Sequence, residues 1–316
     1  MPVAPAFTEV SLSNTQPLPL ERTPDGFAIL TLEQAGKPVV VLDLELLQRL
    51  DASLSDLAGA GGRNLRGLVV RSGSERVFIA GADLKTISTW SDDQLDKYLA
   101  FGQRVFCTLA TLPFPTVAAI NGAALGGGLE LAMHCDALIA CPPAPRDGQP
   151  GKPYPVGLPE CSLGLCPGWG GTNLYPLSLD DPAIAIRRCV EGKPMLYEEA
   201  AASGLFAEIA PSAAELLAVS KAWLQFAQAK AATTNYSEMD PWKRSPGQAT
   251  KTLLSMDRVR GELGPSDEAQ AVLECLNIGL TQGYQAALDA ERRHLVRLRH
   301  TPKAKQALEA FFARGK

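Results

Sequence analysis

The 316-residue chain is poor in the residues that metal and disulfide chemistry need. Its three histidines, His134, His294 and His300, show no metal-ligand spacing, which argues against a zinc site. Seven cysteines are odd in number and form no Cys-x-x-Cys pair, a pattern of reduced thiols in a cytosolic setting. Cationic excess is missing too: a formal net charge of −4 disfavours a general role in coating nucleic acid or an acidic membrane. Met1-Pro2-Val3-Ala4-Pro5 has neither the positive n-region nor the apolar h-region of a signal peptide. The most membrane-like stretch, Thr116 to Ala140, is broken by Asn121, Glu130, His134, Asp136 and a triple glycine. It reads instead as strand, turn and buried helix. The expectation is a cytoplasmic protein with no metal, no membrane and no nucleic acid as partner.

What is present describes an ordinary globule, 46% hydrophobic and 20% charged, long enough to bury a full core. Residues 1–24 are Pro-rich and polar and read as a loose lead-in. Phe27–Leu32 and Pro38–Leu42 look like strands around a turn at Ala35-Gly36-Lys37, and Leu44–Leu57 follows a helical period. Gly67–Arg71 is nearly all aliphatic, as a strand buried on both faces is. Val77–Ala80 and Thr116–Ile120 are further short strands, with the helix Asp92–Leu109 between them, stopped by Pro113 and Pro115. After the glycines come a helix over Leu129–Cys135 and a strand over Ala137–Ala140, then a breaker-rich loop from Cys141 to Pro153. Alternating strands and helices make residues 25–212 an α/β core. From about residue 213 the pattern is helical only (Ala213–Ala229, Glu268–His300, Pro302–Ala313), with a Pro/Ser/Thr-rich bridge near Thr233–Pro265. Residues 213–316 therefore read as a C-terminal helical region.

Chemistry gathers at glycine-rich turns. Glu130 ends Ala123-Ala124-Leu125-Gly126-Gly127-Gly128-Leu129-Glu130, and Glu160 ends Gly157-Leu158-Pro159-Glu160. Paired carboxylates beside free amides suit proton transfer next to a carbonyl: one group moves the proton while N–H donors hold the developing enolate. A helix opening at the triple glycine points unsatisfied N–H groups outward, so Gly127 N–H can polarise a thioester oxygen. Ala82 follows Gly81 at a strand end, and its N–H can supply the second donor. For Asp83 and Lys85 the plainer roles are helix capping and solvated surface. Trp169 reads equally as a pocket wall or a core aromatic, and His134 as packing.

These residues carry a resemblance. Ala80-Gly81-Ala82-Asp83-Leu84-Lys85, Asn121 through Glu130, Leu158-Pro159-Glu160 and Pro167-Gly168-Trp169-Gly170-Gly171-Thr172, in that order and spacing, resemble the enoyl-CoA hydratase/isomerase (crotonase) superfamily. Gly283–Phe312, with Leu288-Asp289-Ala290-Glu291-Arg292, is similar to the end of the hydratase region in multifunctional fatty-acid oxidation α-subunits. No Gly-x-Gly-x-x-Gly follows, so the chain looks like a free-standing hydratase half. The resemblance implies a crotonase-like spiral of ββα units with trimerising C-terminal helices, as a homotrimer or hexamer. It implies that Ala82 and Gly127 hold the thioester oxygen of an acyl-CoA, which is substrate and not cofactor. Glu130 then deprotonates a water that adds across C2=C3, Glu160 manages the proton at C2, and Gly168 N–H helps fix the water. CoA contacts fall to Ala80, Lys85, Phe311 and Arg314. Val40 stands where many relatives carry Asn, and the 141–153 loop is longer than usual. Two alternatives remain: a Δ3-Δ2-enoyl-CoA isomerase, which needs one carboxylate, and a non-catalytic acyl-CoA-binding relative.

Overall fold

A computed structural model describes residues 16–145, 148–229 and 240–314. The strands are β1 (Leu20–Arg22), β2 (Phe27–Leu32), β3 (Gly67–Ser72), β4 (Val77–Ile79), β5 (Thr116–Ile120), β6 (Ala123–Leu125), β7 (Ala137–Ala140), β8 (Pro155–Gly157), β9 (Met195–Leu196) and β10 (Glu208–Ile209). They form a six-stranded sheet, β1-β2-β3-β5-β7-β10, and a four-stranded one, β4-β6-β8-β9. In the larger sheet β2, β3, β5, β7 and β10 run parallel. Its central strands are buried on both sides, as the aliphatic runs require. Leu68, Val70, Ala118, Ile120 and Leu138 enter the main core, while Val69, Val117, Ala119 and Ile139 pack on the other face against Leu216 and Leu224.

The helices are α1 (Leu44–Ala58), α2 (Leu84–Thr89), α3 (Asp92–Ala110), α4 (Gly127–Met133), α5 (Gly171–Ser178), α6 (Pro182–Glu191) and α7 (Tyr197–Ala202). In the C-terminal part follow α8 (Leu216–Ala229), α9 (Pro241–Arg244), α10 (Pro246–Arg260), α11 (Asp267–Gln282), α12 (Tyr284–Leu298) and α13 (Pro302–Arg314). α3 begins in a reciprocal capping box between Ser91 and Gln94, which satisfies two amides of its first turn. No helix among the described residues is long and apolar enough to cross a membrane.

Four expectations need correction. Pro38–Leu42 is not a strand: Leu42 alone makes an isolated bridge, to Ala82, and Asp43 already caps α1. Of the lead-in, residues 1–15 lie outside the described residues, but Leu20–Arg22 pairs antiparallel with β2. The single helix expected over Glu268–His300 breaks at Gly283, whose φ of +96° an L side chain rarely adopts. The Thr233–Pro265 bridge contains α9 and α10, each with proline tolerated in its first turn.

The smaller sheet positions the site. β4, β6 and β8 are parallel, with Ile79 beside Ala124 and Leu125 beside Gly157. Their carboxyl ends therefore open together, onto Ala80–Ala82, Gly126–Gly127 and Pro159–Glu160, the usual place for a ligand crevice in a parallel sheet. α3 flanks this opening with Gly102, where an added Cβ would lie 2.4 Å from Trp169 Nε1. Gly102→Ala is expected to destabilise the protein by about 1–3 kcal/mol through overpacking, measured by urea unfolding.

Candidate active site

One cavity of about 360 Å³ brings the expected residues together: Glu130, Glu160, Ala82, Gly127, Gly168, Ala80, Lys85 and Phe311 all line it. Phe311 sits on α13 and reaches the cavity of its own chain. The side chain of Arg314 lies outside the described residues. Val40 is buried in the core, and its carbonyl accepts from Ala80 N–H; Val41 is the neighbour that lines the cavity. No described residue of the 141–153 loop lines it; the loop borders a separate cavity with Arg76 and Asn121.

The free amides follow from the local fold. In the bridge at Leu42, Gly81 carbonyl accepts from Leu42 N–H at 2.9 Å and Asp83 N–H donates to Leu42 carbonyl at 3.2 Å. Ala82 N–H is thereby turned to the opposite side of its strand. Gly126 has φ +52° and swings the chain from β6 into α4, whose first amide is Gly127 N–H. Neither Ala82 N–H nor Gly127 N–H donates to a protein acceptor among the described residues. Asp83 caps α2, accepting from Thr86 N–H, and Lys85 is exposed at the rim.

Glu130 is buried on α4, and its Oε1 accepts from Trp169 N–H and Gly171 N–H, both at 2.8 Å. Burial pushes its carboxyl up to about 7, while amides of Gly171, Trp169 and Gly168 pull the other way. Glu160 is half-buried as a residue, but its Oε2 is shielded from solvent and has no hydrogen-bond partner among the described residues. Burial first, and the Glu130 charge second, hold its carboxyl well above the ordinary range. The two environments thus separate an acid from a base.

Trp169 does both things expected of it. Its ring lines the cavity and packs edge-on against Tyr98, while Nε1 donates to Leu99 carbonyl at 3.1 Å. Glycine at 127 is what admits it, since a Cβ there would meet Trp169 Cζ3 at 2.4 Å. His134 packs: Nδ1 bonds Glu130 carbonyl oxygen at 2.8 Å, Nε2 lies 3.1 Å from Tyr284 hydroxyl, and burial lowers it to about 4.

Sequence reasoning gave no role to Glu291. From α12 its carboxylate accepts Gly170 N–H at 2.6 Å, Thr172 N–H at 2.9 Å and the Thr172 hydroxyl. The signal was present: Glu291 occupies the buried stripe of α12 with Tyr284, Leu288, Leu295 and Leu298, where an acid needs partners.

The profile of enoyl-CoA hydratase/isomerase proteins matches residues 23–240. The chain belongs to the enoyl-CoA hydratase/isomerase family. It is 30% identical over 302 residues to a fatty acid oxidation complex subunit alpha of Shewanella amazonensis, covering 93% of this chain and 40% of that one. A Shewanella frigidimarina counterpart is 29% identical over 298 residues, again covering 93% of this chain and 40% of the relative. The chain thus spans about 40% of the length of the curated relatives it matches. Among solved structures, human mitochondrial Δ3-Δ2-enoyl-CoA isomerase superposes with a TM-score of 0.66 at 22% identity, covering 95% of this chain and 98% of that one. An enoyl-CoA hydratase from Bacillus halodurans gives 0.64 at 23%, covering 93% and 99%. Both likenesses speak for the crotonase-like fold alone.

Proposed function

We propose that this enzyme of the enoyl-CoA hydratase/isomerase family adds water across the C2=C3 bond of 2-enoyl-CoA thioesters. The observation that carries the reading is the pairing at one cavity of two buried carboxyls in unlike environments with two unengaged amides. The thioester oxygen lies between Ala82 and Gly127 N–H, where charge developing on it is stabilised; removing one such donor typically costs about 2.7–4 kcal/mol. Glu130, the more readily ionised of the two, takes a proton from water as its oxygen bonds to C3. Glu160, held protonated, delivers a proton to C2 as the enolate collapses. The proton now on Glu130 returns to Glu160 before the next turnover, so the enzyme is restored and only water is consumed. Gly168 N–H helps fix the water, and Ala80, Lys85 and Phe311 at the rim meet the CoA portion.

Crotonyl-CoA as substrate, followed by loss of enoyl absorbance, tests the reading. Absorbance that rises with a 3-enoyl-CoA while crotonyl-CoA stays unchanged would assign isomerisation instead. Binding of acyl-CoA with neither change would assign a non-catalytic role. A trimer or hexamer, expected of the intact protein, is tested by light scattering.

The pH profile has a defined sign. The base must be ionised, and Glu130 titrates at about 7. Below that pH, kcat/KM is expected to fall about tenfold per unit, whereas an ordinary exposed carboxylate would hold the rate to nearly pH 5. A flat profile from pH 5 to 8 would remove Glu130 from the role of base.

A further inference from the structure

Four successive amides after Gly168 are divided between two glutamates. Trp169 and Gly171 N–H point one way, to Glu130; Gly170 and Thr172 N–H point the other, to Glu291. Such alternation is a property of one backbone conformation, with Gly170 at φ +99° as its pivot. An added Cβ at Gly170 would meet Tyr284 hydroxyl at 2.0 Å, and one at Gly171 would meet Glu130 Oε1 at 2.8 Å. The turn is thus packed closely from both sides, by Tyr284 and by Glu130.

We propose that Glu291 is a positioning residue of the active site: by holding Gly170 and Thr172 from behind, it aims the Trp169 and Gly171 amides at the carboxylate of Glu130. The chemistry served rests on the hydratase reading; the aim of the amides does not. The rest of the turn is anchored from the same side. Gln103 Nε2 donates to Gly168 carbonyl at 2.9 Å and to Leu288 carbonyl at 2.8 Å, and Arg292 Nη1 holds Gln103 Oε1 at 2.9 Å. The C-terminal helical region thereby completes the catalytic turn of its own chain.

The ionisable groups packed around these two carboxyls are Glu160, His134, Tyr284 and the thiols of Cys166, Cys189 and Cys275. Burial first, and the Glu130 charge second, push the Glu291 carboxyl up to about 8, so an ionised Glu130 itself favours the neutral form of Glu291. The neutral isostere Glu291→Gln consequently removes little charge at the point where Glu130 ionises. What it removes is an acceptor, because an amide NH₂ cannot receive Gly170 N–H.

The test is Glu291→Gln beside Glu268→Gln, which removes the charge of another buried carboxylate from its 2.8 Å ion pair with Lys303, outside the cavity. For Glu291→Gln, kcat is expected to fall about 10²-fold, the loss a 1 Å misplacement can produce. KM should stay within about threefold, and the acid limb of kcat/KM should move to higher pH as Glu130 loses amide donors. Glu268→Gln should lower thermal stability and leave kcat and the limb alone. A Glu291→Gln enzyme with kcat within threefold of wild type overturns the inference. So does a fall in kcat with an unmoved limb, since general loosening and not amide aim would then be responsible. If the wild-type chain turns over no CoA thioester, the hydratase reading fails alone. The Glu130 carboxyl band, isolated as an infrared difference against Glu130→Gln, still titrates, and it must move to higher pH in Glu291→Gln for the inference to stand.

Discussion

Glu130→Gln is expected to reduce kcat with crotonyl-CoA by about 10²–10⁴-fold, the range a positioned acid–base group supplies. Two features make this substitution informative. The glutamine carbonyl oxygen can still accept from Trp169 and Gly171 N–H, so the turn and α4 keep their partners. Burial also opposes the charge that the wild-type carboxyl must carry, so a neutral side chain removes a penalty from the folded state. Turnover should collapse while the melting temperature holds or rises, a combination that a merely damaged fold does not give. KM should change little, because the proposed mechanism gives Glu130 the water and not the CoA portion. Turnover within tenfold of wild type would show that another group takes the proton.

The site was legible in the sequence to the extent that it is local. Each of its motifs is a strand end followed by a few residues: Ile79 into Ala80–Ala82, Leu125 into Gly126–Gly127, Gly157 into Glu160. Glycine marks two of these ends because the backbone demands it, with φ of +113° at Gly81 and +52° at Gly126. A short apolar run that meets a glycine is readable without knowing what it pairs with. Membership of the enoyl-CoA hydratase/isomerase family was equally readable, since these three motifs and the turn Pro167–Thr172 stand in a fixed order.

Partnership over long separations was not. Glu291 meets amides 119 and 121 residues away, and a helical stripe does not say which backbone an acid on it will face. β9 and β10 have two residues each and exist only because neighbours in space complete their ladders. The false strand at Pro38–Leu42 has the opposite cause. Val40 and Leu42 are buried in the main core and Val41 lines the cavity, so their pattern was set by tertiary packing and not by a ladder. The break at Gly283 shows how a single glycine stays ambiguous inside a periodic run until its φ is known.

Gly126→Ala is expected to lower kcat by about 10²–10³-fold, comparable with losing an oxyanion donor outright, although it adds one methyl group. Its Cβ would be built 2.4 Å from Glu160 Oε1, closer than any carbon–oxygen contact can be held. Glu160 must retreat, and its shielded Oε2 has no hydrogen bond among the described residues to guide it back. The same residue, at φ +52°, sets the direction in which Gly127 N–H leaves the strand, so relaxing its backbone turns away the proposed oxyanion donor as well. One methyl therefore acts on both groups to which the proposed mechanism gives the proton and the oxyanion. Strain alone does not explain such a loss, and Gly36→Ala separates the two. Gly36 has φ +72° with no described residue within 4 Å of an added Cβ. Its alanine variant should lose about 1–2 kcal/mol of stability from the left-handed backbone and keep its turnover. If Gly126→Ala likewise kept kcat within threefold of wild type, Glu160 would not be where the reaction needs it, and the acid would have to be sought elsewhere in the cavity.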